Sequence, residues 1–467
     1  MTSFSIRRSA LFFTLLLSSC LAWGQSSRHQ VKDSVILKKI YEEALAHGEA
    51  YDNLRSLTKG IGHRLSGSPQ AAAAVEWGRQ LMEDYGFDTV YLQPVMVPHW
   101  VRGGEDKARI VGSSKVGDMD VDVIALGNTV GTGQGGITAP LVEVQDFEEL
   151  KKLGKKTVEG KIVFFNRPMD PKHVTTFTAY SGAVDQRGSG PAEAAKLGAV
   201  GVVVRSMHVG HDDVPHTGST RYQDEVKPIP AVAISTEDAD LLSSLMQNDE
   251  KVSFHMETHG RMMGEKLSYN VIGEIRGTEK PQEIIVVSGH LDSWDVGEGA
   301  HDDGAGVVHA VEVLRIMKKL DIQPKHTIRA VMYMNEENGL RGGREYARVA
   351  KEKGEVHIAA MESDSGGFTP LGFSIDGSPR HVVKMQSWAD LFIPYQVFLF
   401  VPGYGGADIG PLKEQGVPLI GYRPDSQRYF DYHHTAADVF EAVDDRELHK
   451  GAATMTAMIY LIDKYGL

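Results

Sequence analysis

Ser288-Gly289-His290-Leu291-Asp292-Ser293-Trp294-Asp295-Val296-Gly297-Glu298-Gly299-Ala300-His301-Asp302-Asp303-Gly304-Ala305-Gly306 is the stretch on which the reading of this chain turns. It follows Ile284 to Val287, an apolar run free of Pro and Gly, which reads as a buried parallel strand. A helical pattern begins after it near Val307 and carries through Val308, Val311, Val313 and Leu314. The polar residues between therefore sit at the carboxyl end of a strand, where open α/β sheets place their chemistry. His290, Asp292, Asp302 and Asp303 share a loop whose glycines let the backbone turn tightly. Such a group of imidazoles and carboxylates points to a metal site.

The same rhythm repeats outward. Strands at Ile328–Met334 and His357–Met361 alternate with helices near 307–319 and 340–353. This is βαβ order, and it implies α/β architecture: a mostly parallel sheet with helices on both faces. Later come a strand at Gln396–Val401, a Gly-rich loop at 403–406, a strand at Val417–Tyr422 and a helix from Asp445 to Tyr465. Upstream, helical periodicity covers 33–58 and Ala71–Tyr85, with a strand over 88–97. Residues 116–261 differ, being rich in Gly and short β-like runs, and read as an inserted mixed α/β module. The expected division is thus 25–115 with 262–467 as one unit and 116–261 as the other. His173, His208, His211 and His216 of the insert lack acidic partners at metal-like spacing and are read as surface or loop residues.

Composition narrows the class. The chain has 467 residues, so two domains are expected. Net charge is −13, which disfavours nucleic acid and anionic membranes as partners. Arg7 and Arg8 precede an apolar run, Ala10 to Leu17, and Ala22-Trp23-Gly24 resembles a cleavage site before Gln25. Residues 1–24 are read as an export signal, giving a secreted or periplasmic protein. The run is too short to span a membrane. Leu17-Ser18-Ser19-Cys20 also matches a lipoprotein box, in which Cys20 would carry a lipid anchor. Cys20 is the only cysteine, so no disulfide forms within the mature chain.

Four further polar clusters follow strands: Asn335-Glu336-Glu337-Asn338-Gly339, Glu362-Ser363-Asp364, Gly405-Gly406-Ala407-Asp408 and His433-His434-Thr435-Ala436-Ala437-Asp438. If these strands are parallel, the clusters converge on one sheet edge. The inventory suits a pair of zinc ions. Zinc takes His nitrogen and carboxylate oxygen with about four ligands per ion. Two ions about 3.5–4 Å apart need a bridging carboxylate. A structural zinc finger is excluded, because no Cys ligand exists, and calcium would not favour two His ligands.

The segments Gly289-His290-Leu291-Asp292-Ser293, Gly299 to Gly306, Asn335 to Gly339 and His434-Thr435-Ala436-Ala437-Asp438 resemble the signature of the co-catalytic di-zinc aminopeptidase and glutamate carboxypeptidase family. Ile61-Gly62-His63-Arg64-Leu65-Ser66-Gly67-Ser68, residues 290–297 and Met361-Glu362-Ser363-Asp364 point within it to the glutamate carboxypeptidase branch. The resemblance covers about residue 35 to the end, and the insert stands where that family has a protease-associated domain. It implies that Asp302 bridges both ions, that His290 and Asp364 complete one site, and that Glu337 and His434 complete the other. It further implies Glu336 as general base and Asp292 as the residue that orients His290 through its far ring nitrogen. His434 is preferred to His433 because it directly precedes Thr435. Asp408 would support the loop near the substrate, and His301 has no assigned role. Tyr404 and Arg423 read equally as substrate contacts or as packing residues.

The resulting expectation is a di-zinc exopeptidase acting on small peptides, chiefly unblocked dipeptides, with a homodimer implied by the resemblance alone. An aminopeptidase on longer peptides, a metal-free binding module and a single-zinc acyl transferase of the glutaminyl-cyclase kind are the alternatives. A cationic residue facing the substrate carboxylate, or an acidic one facing its amine, would decide carboxypeptidase against aminopeptidase.

Overall fold

A computed structural model describes residues 31–467, Asp224 and Glu250 excepted. The expected signal segment and Cys20 lie outside the described residues. Two eight-stranded sheets organise the chain.

The first sheet contains, in chain order, β1 (Thr89–Val101), β2 (Arg261–Ile275), β3 (Lys280–His290), β4 (His326–Tyr333), β5 (Val356–Glu362), β6 (Pro370–Asp376), β7 (Leu399–Pro402) and β8 (Leu419–Pro424). Their spatial order is β1-β2-β4-β3-β5-β8-β6-β7. The centre is parallel: β3 pairs with β4 and β5, and β5 with β8. Every residue of β4 is buried, as a strand covered on both faces must be. The faces separate by alternation. Ile285, Val287 and Met361 pack under the helices Ala305–Lys319 and Asp445–Tyr465. Ile284, Val286 and Ala360 pack under the helix Arg341–Lys353, with Tyr346 and Ala347.

Register brings the carboxyl ends together. His290 lies opposite Tyr333, Ser288 opposite Glu362, and Glu362 opposite Gly421. The loops after β3, β4, β5 and β8 therefore leave from one edge. Glycine is required where they crowd. A Cβ on Gly306 would fall 2.0 Å from the Ser363 carbonyl oxygen, and one on Gly289 would fall 2.5 Å from the Gly306 backbone.

Two expectations need correction. Strand β6 pairs antiparallel with β8, and β7 runs parallel to β6, so β7 points away from the loop-bearing edge. The Gly405–Asp408 cluster reaches the site because its loop doubles back. The Glu362 carboxylate holds it there, accepting from Ala407 N and, at 2.9 Å, from Ile409 N. The insert also begins earlier than residue 116. Lys107–Ser113 pairs with Ser253–Glu257 in the second sheet, and β2 of the first sheet resumes at Arg261. Alternation in Lys107–Ser113 suits either sheet, so composition did not mark this boundary.

The second sheet packs around its own cores, one under the short helices of 176–196 and one under the helix Thr236–Asn248. Phe368, Tyr429 and Phe430 of the first unit join the first of these cores, so the insert rests directly on the loop that carries His433 and His434.

Candidate functional site

Asp302 occupies the middle of the converging loops. Its Oδ1 lies 3.2 Å from His290 Nε2, and that same nitrogen is 3.7 Å from Asp364 Oδ1. Its Oδ2 lies 3.3 Å from His434 Nε2, which is 3.1 Å from Glu337 Oε2. The two oxygens of one carboxylate thus face two separate donor sets. His433 Nε2 is further from Oδ2, at 4.0 Å, and its ring stacks on that of His434 with centroids 3.6 Å apart.

Both histidines are held in the tautomer that frees Nε2. His290 Nδ1 donates to the Asp292 backbone carbonyl at 3.0 Å. His434 Nδ1 donates to the Thr217 carbonyl of the insert at 3.2 Å, and Thr217 N returns a bond to His434 O at 3.1 Å. An Nδ1–H so engaged leaves the Nε2 lone pair for a metal. His434 adopts φ 62°, a left-handed conformation that is costly for a non-glycine residue and recurs at functional sites.

The role expected for Asp292 changes. Its carboxylate stands 3.8 Å from His290 Nδ1, and it is the backbone carbonyl that orients the ring. The carboxylate instead accepts from Asn335 N at 2.7 Å and Glu336 N at 3.0 Å. It ties the loop after β3 to the loop after β4 and so fixes where Glu336 stands.

Three residues brace the Asp302 loop: Asp303, which the sequence placed in the group pointing to a metal site, and Asp438 and Arg64, to which it gave no role. Asp438 accepts from His301 N at 2.7 Å and Asp302 N at 3.1 Å. Asp303 accepts from His290 N at 2.9 Å and Gly306 N at 3.0 Å. Arg64 is fully buried and donates to three carbonyls: Leu291 at 2.6 Å, Glu298 at 2.7 Å and Gly299 at 2.9 Å. The last Asp of His-Thr-x-x-Asp and the Arg of the 61–68 loop were visible as motif positions, but their backbone partners were not. Arg64→Met removes all three bonds and leaves the carbonyls buried. We expect a loss of about 3–5 kcal/mol of stability, read as a lower urea midpoint. An unchanged midpoint would show that solvent replaces the guanidinium.

Electrostatics mark the site as short of positive charge. Burial alone would push His290 down, but the Asp302 and Asp364 carboxylates hold it well above the usual imidazole range. Burial raises Asp302, and His290 and His434 reverse this and hold it well below the carboxylate range. Burial, aided by the Asp302 charge, lifts Glu337 to about 7. Burial also raises Glu336 well above its ordinary value, with Asp364, Asp408 and Glu337 adding to it. Oε1 of Glu337 is buried without a hydrogen-bond partner. Cations at the two donor sets would offset the crowding that raises Glu336 and Glu337 and would give the Glu337 Oε1 atom a partner, so the residues present fit a metal pair.

The remaining expected residues divide. Asp408 is buried beside Glu362, with neither carboxylate oxygen hydrogen-bonded. His301 stacks on Phe368 and Tyr432 and bonds Gly367 N and Ala442 O, a packing role. Arg423 donates to Ser374 Oγ and the Tyr404 carbonyl, and Tyr404 is 61% exposed. In the insert, His173 and His211 are exposed as expected, but His216 is buried and stacks with His208. His208 in turn meets Asp212 and Asp431. Asp431 reaches His208 from the first unit, whereas Asp212 lies only four residues further along the same loop.

A cavity of about 400 Å³ opens over Asp302, Glu336, Glu337 and Asp364. Its opposite wall comes from the insert, through Phe177, Tyr180, Arg187 and Arg221.

Residues 270–459 match peptidase family M28, and residues 137–242 match the PA domain. Carboxypeptidase Q of Bos taurus is 34% identical over 432 residues, spanning 92% of this chain and 88% of that protein. The crystal structure of a peptidase M28 precursor from Shewanella amazonensis SB2B superposes with a TM-score of 0.88 at 33% identity, covering 93% of this chain and 97% of that one. The zinc aminopeptidase BSAP of Bacillus subtilis superposes with a TM-score of 0.63 at 20% identity, covering 88% and 94%, a likeness of fold.

Proposed function

The chain belongs to peptidase family M28, and on that premise we propose that it is an exported di-zinc exopeptidase that hydrolyses short peptides with free ends. The observation that carries the reading is Asp302, whose two oxygens face His290 with Asp364 on one side and His434 with Glu337 on the other. In this reading His290, Asp364 and Asp302 hold one ion, and Asp302, Glu337 and His434 hold the second. When bound, such ions polarise a scissile carbonyl and lower the pKa of water.

The chain's own residues supply the rest. Glu336 takes no part in either donor set and lines the cavity beside both. Its carboxylate accepts a proton from the attacking water and delivers it to the departing amine nitrogen. Asp292 holds the backbone of Asn335 and Glu336 and so keeps that carboxylate from drifting into the donor sets. Phe177, Tyr180 and Tyr429 wall the cavity with apolar surface and limit water to the space above the carboxylates. A cavity of about 400 Å³ suits a ligand of a few residues.

Among the described residues, no helix is long and apolar enough to cross a membrane. Export rests on residues 1–24, and the mass of the mature N-terminus separates cleavage before Gln25 from a lipid on Cys20.

The test is a panel of unmodified, N-blocked and C-blocked dipeptides offered to the zinc-loaded mature protein, with products followed by chromatography. Cleavage of the unmodified dipeptides alone supports the proposal. Equal cleavage of C-blocked substrates moves the activity to aminopeptidase, and cleavage of none with both ions bound discards the peptidase reading.

A further inference from the structure

The two histidines of the donor sets are oriented from different places. His290 Nδ1 donates to the carbonyl of Asp292, two residues along its own loop. His434 Nδ1 donates to the carbonyl of Thr217, which belongs to the insert. One half of the site is therefore complete within the first unit, and the other half is finished by the second.

The insert holds Thr217 firmly. Thr217 Oγ1 donates to Ala125 O at 2.9 Å, and Gly127 N donates to Gly218 O at 2.9 Å. On the other side His216 N donates to Ser206 Oγ at 2.8 Å. The Thr217 carbonyl also has a second donor. Arg187 Nη1 reaches it at 3.4 Å and lies 3.4 Å from His434 Nδ1. Arg187 Nη2 in turn donates to Tyr180 OH at 2.7 Å, which anchors the guanidinium. Gly218 lets it approach: a Cβ there would fall 2.4 Å from the guanidinium carbon. Arg187 is buried and makes no ion pair among the described residues. A buried guanidinium without a carboxylate of its own is costly. Its place is set by a carbonyl and a phenol, on the wall of the cavity that Asp302 and Glu337 also line.

We propose that Arg187 is a positioning residue for one half of the metal pair. By fixing the Thr217 carbonyl it fixes the His434 imidazole. The insert thereby sets how tightly the ion on the His434 and Glu337 side is held, and it leaves the His290 and Asp364 side alone. The inference rests on the metal-pair reading above and deepens it by giving the insert a part in the site. A ligating imidazole depends on the partner of its other nitrogen, which fixes both tautomer and ring direction. A carbonyl free to swing would hold neither.

The test reads metal affinity rather than turnover. Zinc is titrated into metal-free protein against a chromophoric chelator, which resolves the two dissociation constants. Arg187→Met should weaken one ion ~10- to 100-fold and leave the other within about twofold. Glu337→Ala, which keeps the ion on the His290 side, should bind that ion equally well with and without R187M. Arg187→Lys, which keeps one charged donor, should recover part of the loss. Should R187M fail to fold, Tyr180→Phe removes only the hydroxyl that anchors Arg187 and should weaken the same ion by a smaller factor. Equal weakening of both ions, or of neither, overturns the positioning role, as does weakening by R187M of the ion that Glu337→Ala retains. Wild type that binds fewer than two ions overturns the metal-pair reading itself, and the positioning role falls with it.

Discussion

Zinc-loaded Glu336→Gln is expected to hydrolyse a short peptide about 10³-fold more slowly than wild type, the range for loss of a general base. The substitution keeps shape and removes only the ability to take and return a proton. The geometry favours a clean result. Glu336 belongs to neither donor set, so metal content should stay at the wild-type level. Its backbone is held by the Asp292 carboxylate, which accepts from Asn335 N and Glu336 N. The Gln side chain therefore inherits the same position. Substrate should still bind, since the walls of the cavity are unchanged, and the loss should fall on kcat with KM near its wild-type value. A Gln variant with near-normal kcat would remove Glu336 from the reaction. A variant that lost its ions as well would show that Glu336 is a ligand and that the base lies elsewhere.

The α/β architecture was legible in the sequence, and so was the gathering of polar clusters at one sheet edge. His290, Glu336, Glu337 and Asp364 closely follow the apolar runs of β3, β4 and β5, and Asp302 and His434 lie further along loops that leave the same edge; an unbroken apolar run followed by a polar cluster marks the carboxyl end of a buried strand locally. The direction of Leu399–Pro402 was not legible for the opposite reason. A four-residue strand has no mark of polarity, and its orientation follows from Pro370–Asp376, which pairs antiparallel with Leu419–Pro424. The supporting residues were hidden by the nature of their partners. Arg64 and Asp438 act on backbone groups far along the chain, and backbone groups look alike in sequence. His216 was read as a surface or loop residue; it does lie in a loop, but a buried one, where His208 of the same loop and His434 of the first unit pack against it. The tautomer of His434 depends on Thr217, more than two hundred positions earlier. No local pattern could have revealed that bond.

Asp302→Ala should have the other large effect, and it tests the bridge directly. Removing this carboxylate leaves His290 with Asp364 and His434 with Glu337, so neither donor set keeps its shared member. Two incomplete sets cannot hold a pair of ions against dialysis, and hydrolysis should fall by ~10⁴-fold or more. Glu337→Ala and Asp364→Ala are the controls, because each strips a ligand from one side only. Each should retain about one equivalent of zinc, while Asp302→Ala retains less than one. The fold should survive, since the Asp302 loop is braced through its backbone by Asp438 and through its neighbour by Asp303. Circular dichroism of the variant should therefore match that of metal-free wild type. Retention of both ions by Asp302→Ala would refute the bridge, and the next residue to examine would be His433, whose Nε2 lies 4.0 Å from the same carboxylate. Loss of both ions from Glu337→Ala as well would show that the two sets fill only together, with Asp302 coupling one ion to the other.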